Sequence, residues 1–260
     1  MKKTMHLLTA AILLACLTGC SQTSDSVSIK SADDLVGKTI GTQLGTTGYI
    51  FAGDIEDADV EAYNKGADAV QALKQGKVDA VIIDSEPAKV FVEKNPSLTI
   101  LPDPFAVEEY SIAYKKGNDE LGQKIDDALT KLKEDGTLDE IVSHWVGDNA
   151  DQVPYTPAAG ASTDNGTLTM ATNAEFPPYE SMQGGDIVGI DVDMMTAVCE
   201  ELGMELVINN MEFDSIITAV DSGKADVGVA GISMTPEREK NVSFTQGYAT
   251  TTQVIIVRAE

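Results

Sequence analysis

Arg238 lies in GISMTPEREK, residues 231–240, and the chain has one other arginine, Arg258. A guanidinium presents five N–H donors in a planar fork that fits a carboxylate or a phosphate. Thr235 and Pro236 suit the first positions of a helix. A positive charge in the first helical turn opposes the helix dipole. The placement makes sense when an anion sits there and takes both the guanidinium and the free N–H groups, with Ser233 adding a hydroxyl. A surface arginine paired with Glu237 or Glu239 is the alternative. A second loop, GTQLGTTGY, leaves a strand and enters a helix with Thr46 and Thr47 at the turn, where hydroxyls and N–H groups again suit an oxyanion. No lysine follows its glycines, so it is not a P-loop. Asp84 closes VDAVIID, at the strand end where open α/β sheets collect ligands. It could hold an ammonium, or belong to the helix start beside Ser85. Phe176 in NAEFPPYE and Phe213 in MEFDS each follow a strand; such aromatics either form a slot for a ligand side chain or join the core.

These residues need elements that bring them together. Between residues 28 and 148, strand signals (KTIGTQ, KVDAVIID, LTILPDP) alternate with helix signals (GADAVQALKQG, SEPAKVFVEKN). A longer helix follows over LGQKIDDALTKLKEDG, with Ile125, Leu129 and Leu132 on one face. Ser31 with Asp34, and Thr137 with Glu140, have capping-box spacing. After residue 166 the alternation resumes: TLTMATN, the helix DVDMMTAVCEELG, ELVINN, the helix DSIITAVDSG, ADVGVAGIS, a short helix TPEREKNV and the strand TQVIIVR. Single helices between strands imply right-handed βαβ units and largely parallel sheets. Between the blocks, residues 149–166 are rich in Pro, Gly, Ala and Asp without a period, and read as a linker. The expected fold is α/β, with two lobes and a cleft between them.

The formal net charge of −24 repels nucleic acid and anionic lipid, so we expect no nucleic-acid partner. Residues 1–19 read as a signal peptide: Lys2 and Lys3, then an apolar run too short to span a bilayer. It ends in LTGC, which resembles a lipobox with Cys20 as the lipidated residue, followed by a polar tether over 20–27. With Cys16 in the signal and Cys20 acylated, Cys199 has no partner for a disulfide; on the face of Val192, Met195 and Leu202 it reads as a buried hydrophobe. Beyond the signal the chain has one histidine, His144. That leaves no material for a histidine-based zinc site or conventional Ser-His-Asp catalysis, and we expect no metal and no cofactor.

Long ordered stretches, TLTMATNAEFPPYE, GDIVGIDVDMMTAVCEELG, GKADVGVAGISMTPEREKNVSFT, IKSADDLVGKTIGTQLGTTG and GKVDAVIIDSEPA, resemble the extracellular solute-binding proteins, family 3, of polar amino-acid ABC transporters. The resemblance covers nearly all of 28–148 and 167–258. It implies a type II periplasmic-binding-protein-like fold and a ligand, not a substrate. It implies an amino acid held by Arg238, Ser233, Thr47 and Thr46 at the carboxylate, and by Asp84 and the Gly231 backbone at the ammonium. Phe176 and Phe213 sandwich the side chain, and Gln43 forms part of the second lobe's wall. Relatives that take basic amino acids often have Asp where this chain has Asn173; Glu175 and Glu180 are the nearby acids that could meet a distal cation. A membrane permease is the implied partner, for a monomer anchored to the cell envelope through Cys20.

The order of the segments departs from the family: the part that usually comes first follows the linker here. A circular permutation accounts for this. The expected division is lobe II at 28–107, a hinge at 108–111, and lobe I at 112–148 and 167–257, with the second crossing, near 256–260, cut and the hinge therefore softer. Two alternatives belong to other function classes: a same-fold enzyme resembling cyclohexadienyl dehydratases, or a ligand-sensing domain.

Overall fold

The structure, a computed structural model, describes residues 28–259. In chain order the elements are β1 (Thr39–Gln43), α1 (Thr47–Gly53), β2 (Asp59–Tyr63), α2 (Gly66–Lys74), β3 (Ala80–Asp84), α3 (Ser85–Glu93), β4 (Leu98–Ile100) and the long β5 (Ala106–Lys115). Two helices follow, α4 (Asp119–Glu134) and α5 (Thr137–Trp145). After the linker come β6 (Thr167–Thr172), β7 (Glu175–Phe176), β8 (Glu180–Gln183), β9 (Asp186–Val188), α6 (Ile190–Leu202), β10 (Glu205–Asn210), α7 (Ile216–Asp221), β11 (Val227–Gly228) and β12 (Val242–Arg258).

One nine-stranded sheet runs β10-β6-β11-β5-β12-β3-β1-β2, with β4 also on β12. Its two ends are parallel: β6 pairs with β10 and β11, and β1 pairs with β2 and β3. Parallel neighbours need crossovers, which the helices supply. The centre is an antiparallel ribbon of β5 and β12. The β10-β6-β11 end with α4 to α7 forms lobe I, and the β3-β1-β2 end with α1 to α3 forms lobe II. Every residue of β3, AVIID, is buried, as a strand covered on both faces should be. On α4, Ile125, Leu129 and Leu132 are buried along one face, which packs on α6 and β12. Cys199 is buried, and burial pushes its thiol up to about 12.

The expected cut in the second crossing gives way here. β12 is one strand of 17 residues. It pairs with β5 up to Gln253↔Ala106, and from Gln253↔Asp84 onward it pairs with β3 and then β4. Residues 254–258 therefore sit among lobe II strands and not in lobe I, and both crossings are continuous chain. The apolar run VIIVR could satisfy the core of either lobe, and periodicity does not say which.

Two local expectations also change. TPEREKNV forms only a three-residue 3₁₀ turn, Arg238–Lys240. The Thr137 capping box does not form: left-handed Gly136 precedes α5, and the Thr137 N–H goes to the Asp135 carboxylate at 3.0 Å. The Ser31/Asp34 box is present, on a 3₁₀ turn at Ala32–Leu35. Residues 149–166 form neither helix nor strand, and are tied to α6 through Tyr155 Oη donating to Glu200 at 2.7 Å. Cys20 and the signal lie outside the described residues.

Candidate functional site

Between the lobes is a cleft of about 260 Å³. Lobe II lines it with Gln43, Thr46, Thr47 and Asp84; lobe I lines it with Phe176, Phe213, Ala230, Gly231 and Arg238. Loops at the carboxyl ends of parallel strands supply most of them, as open α/β sheets do. A wider groove of about 1190 Å³ lies beside it, bounded by exposed Ile50, Val107 and Met234. Arg238 and Asp84 line the smaller cleft and not this groove.

Arg238 is 8% exposed. Its guanidinium donates to the Ser233 carbonyl (Nη1, 2.5 Å) and to the Gly45 carbonyl of the opposite lobe (Nη2, 3.0 Å), and lies over the Phe213 ring at 5.4 Å. Among the described residues it has no carboxylate within ion-pair distance. Glu237, the surface partner considered from sequence, pairs with Lys240 instead. Burial lowers the guanidinium to about 10, against the opposing pull of Glu108 and Asp84. The helix-dipole rationale falls away, because a three-residue turn has no macrodipole to speak of. What remains is a buried cation held by carbonyls.

Gly231 explains itself sterically. Its φ is +56°, and a Cβ there would stand 2.7 Å from the Phe176 ring. Its N–H donates to the Asp191 carboxylate at 2.9 Å. The Ser233 hydroxyl is buried without a partner among the described residues. Phe176 is buried on β7 and stacks on Tyr179, with ring centres 5.9 Å apart.

Lobe II is wired differently. Thr46 caps α1: its hydroxyl donates to the Gln43 carbonyl (2.8 Å) and accepts from Tyr49 N (3.2 Å). The Thr47 hydroxyl donates to Glu108 at 2.8 Å, and Gln253 Nε2 donates to the same oxygen at 2.8 Å. Asp84 immediately precedes α3, yet its carboxylate makes no cap hydrogen bond. It accepts from the Tyr110 hydroxyl at 2.5 Å, with the Thr251 hydroxyl at 3.5 Å; both donors stand on the ribbon. Burial pushes Asp84 up to about 7; the Tyr110 hydroxyl works against that shift and Glu108 adds to it.

Two side-chain pairs close the cleft from lobe to lobe. Gln43 Nε2 donates to Asn173 Oδ1 at 2.9 Å, and Asn173 donates in turn to the Met211 carbonyl. Lys65 meets Glu175 at 2.6 Å. Glu175 is thus committed to a partner at the rim. Glu180 has no exposed surface and does not line the cleft. Neither acid is placed to meet a ligand's distal cation. His144 pairs with Asp151 and is not among the lining residues.

Sequence reasoning missed Tyr110, Glu108, Thr251 and Gln253, all on the ribbon. Tyr110 and Glu108 carried no local signal, since EEYSIAYKK reads as an ordinary strand. Gln253 lies at the start of the expected strand TQVIIVR, and Thr251 just before it.

A model of one family, described as bacterial extracellular solute-binding proteins, family 3, matches residues 57–148 and 168–260. The arginine-binding extracellular protein ArtP of Bacillus subtilis (strain 168) is 34% identical over 102 residues, 39% of this chain and 40% of that protein. The L-cystine-binding protein TcyJ of Escherichia coli (strain K12) is 34% identical over 121 residues, 46% of each. Each match spans less than half of the relative's own length. Among solved structures, the arginine-bound form of domain 1 from TmArgBP is 36% identical over 36% of this chain and 82% of that one, with a TM-score of 0.31.

Proposed function

This chain belongs to the bacterial extracellular solute-binding proteins, family 3, and from that membership we propose that it captures a polar L-amino acid and delivers it to the membrane permease of an ABC transporter. The observation that carries the reading is Arg238, a buried guanidinium at the cleft without a carboxylate of its own. A cation in that position calls for an anion, and an amino acid's α-carboxylate supplies one. Thr47 and Ser233 add hydroxyls. Asp84, with the Gly231 carbonyl, takes the α-ammonium, and the arriving cation favours the ionised form of Asp84. Phe176 and Phe213 flank the side chain.

At its far end the ligand meets the amide pair Gln43–Asn173, which offers both donors and acceptors. The absence of a free carboxylate there favours side chains that hydrogen-bond over those that need only a counter-charge. The relatives named above are binding proteins for arginine and for cystine, which keeps both basic and neutral polar ligands in the screen. In this reading the protein performs no chemistry, and acts as a monomer tethered to the envelope by lipid on Cys20.

We also infer the circular permutation. It is supported by the two separate matched blocks and by the meeting of the chain's described ends: Ser28, Ile29 and Lys30 line one surface cavity with Val257, Arg258 and Ala259. Ends that lie together on a surface can be exchanged without breaking the fold.

Thermal-shift screening of the amino acids followed by calorimetry tests the function. Saturable binding by one or a few polar L-amino acids, lost in Arg238→Ala, is the expected result. Normal binding by Arg238→Ala would overturn the assignment.

A further inference from the structure

Behind the cleft, Glu180 and Asp191 are both 0% exposed. The start of β8 is pressed onto the start of α6. Ile190 N donates to the Pro178 carbonyl at 3.1 Å and Asp191 N to the Tyr179 carbonyl at 3.0 Å. A Cβ on Gly189 would lie 2.1 Å from the Tyr179 carbonyl oxygen. This clamp sets the two buried carboxyl groups beside each other. Their environments differ. Asp191 accepts from Gly231 N at 2.9 Å and from the Tyr248 hydroxyl at 2.9 and 3.0 Å. Among the described residues, neither Glu180 oxygen has an N–H or O–H donor.

Two carboxylates buried side by side do not both ionise at neutral pH. The one with donors keeps the charge, and the one without keeps the proton. We propose that Glu180 is a positioning residue: it stays a neutral acid, donates its O–H to Asp191, and so fixes the Asp191 carboxylate that holds the Gly231 amide at the cleft wall. Burial, with Asp191 beside it, holds Glu180 well above the usual carboxylate range, whereas Asp191 is pushed up only to about 6 because Gly231, Glu180 and Tyr248 donate to it. The other groups facing the pair are Tyr179, Tyr248, Asp84 and, beyond Tyr179, Tyr110 and Glu86; none is a cation. The consequence for ligand binding rests on Gly231 being part of the amino-acid grip; the shared proton does not.

The full-length protein can be tested with Glu180→Gln, which keeps a donor, and Glu180→Leu, which removes it. Infrared spectra of the ligand-free wild type at neutral pH should carry, beyond the contribution of Asp84, the C=O band of a protonated acid that Glu180→Gln lacks. Because Glu180 holds its proton more tightly folded than unfolded, its contribution to stability is present at acid pH and is lost as pH rises toward its folded value. The unfolding equilibrium constant of the wild type should therefore climb more steeply with pH than that of Glu180→Gln, by up to about tenfold per pH unit. Glu180→Leu should shift the Gly231 amide resonance and weaken binding of L-arginine or L-glutamine, whichever the wild type takes, by about tenfold, with Glu180→Gln close to wild type. Equal pH slopes, or a protonated-acid band that Glu180→Gln leaves undiminished, overturn the proton assignment. Undiminished binding by Glu180→Leu overturns the positioning role. Should Glu180→Leu not fold, the wild type and Glu180→Gln still decide. Differing slopes in a protein that binds no amino acid would sink the function and leave the proton in place.

Discussion

The two walls of the cleft are prepared to different degrees. In lobe I the binding groups already stand in position: Arg238 is held by the Ser233 carbonyl, with one bond across to the Gly45 carbonyl, and Gly231 by Asp191. In lobe II they are engaged elsewhere: Thr46 caps a helix, Thr47 is bonded to Glu108, and Asp84 to Tyr110. A ligand can therefore add to lobe I, but must exchange partners with lobe II. Preorganised groups keep more of their interaction energy than groups that must first be freed. The comparison teaches that affinity should reside mostly in lobe I, and selectivity for the closed state in lobe II.

Four variants would break or sharpen that contrast. Arg238→Ala should cost about 2–5 kcal/mol of binding free energy by calorimetry, the range for truncating one partner of a buried charged contact. A loss no larger than that of a lobe II hydroxyl would erase the asymmetry. Asp84→Asn comes next. Ligand ammonium requires the carboxylate, so wild-type affinity should rise with pH up to about 7, by as much as about tenfold per pH unit below that value. The variant should bind weakly and without this slope. In the ligand-free protein the sign reverses: Asp84 favours the folded state at acid pH and ceases to do so as pH rises from 3.8 to about 7, which denaturation at a series of pH values can follow. Glu108→Gln should raise affinity by a few-fold, since about 1 kcal/mol of competing hydrogen bond at Thr47 is relaxed. Weaker binding would mean that Glu108 helps the ligand rather than competing with it. Lys65→Ala removes an exposed latch, and should change affinity by no more than about twofold while speeding ligand release in stopped-flow traces.

How much of this was legible in the sequence depended on whether a residue's role is local. Arg238 was found because a scarce residue type stood after a strand. The reason first given for it, a helix start, was wrong, since eight helix-compatible residues settled into a single 3₁₀ turn. Asp84 was found from its place at a strand end. Tyr110 and Glu108 escaped because partnerships across about 26 and 61 residues leave no mark on the neighbouring sequence. From sequence Glu180 reads as an acid that could meet a ligand's distal cation; only the packing of β8 on α6 shows that it is buried behind the cleft. The two-lobed α/β fold was readable from alternation alone, whereas the reach of β12 was not, because its register is set by partners distant in the chain.

The ribbon has one further consequence. Its ladder is regular from Ala249 to Gln253 but slips between Phe244 and Gly247, and again between Gly247 and Ala249. Missing rungs give way before intact ones do. Flexure of the two lobes should then gather beside Tyr248, whose phenol rests on Asp191. The most compliant joint of the clamp thus adjoins its most deeply hidden charge, and the swing of the jaws and the tightness of the grip are set at neighbouring residues.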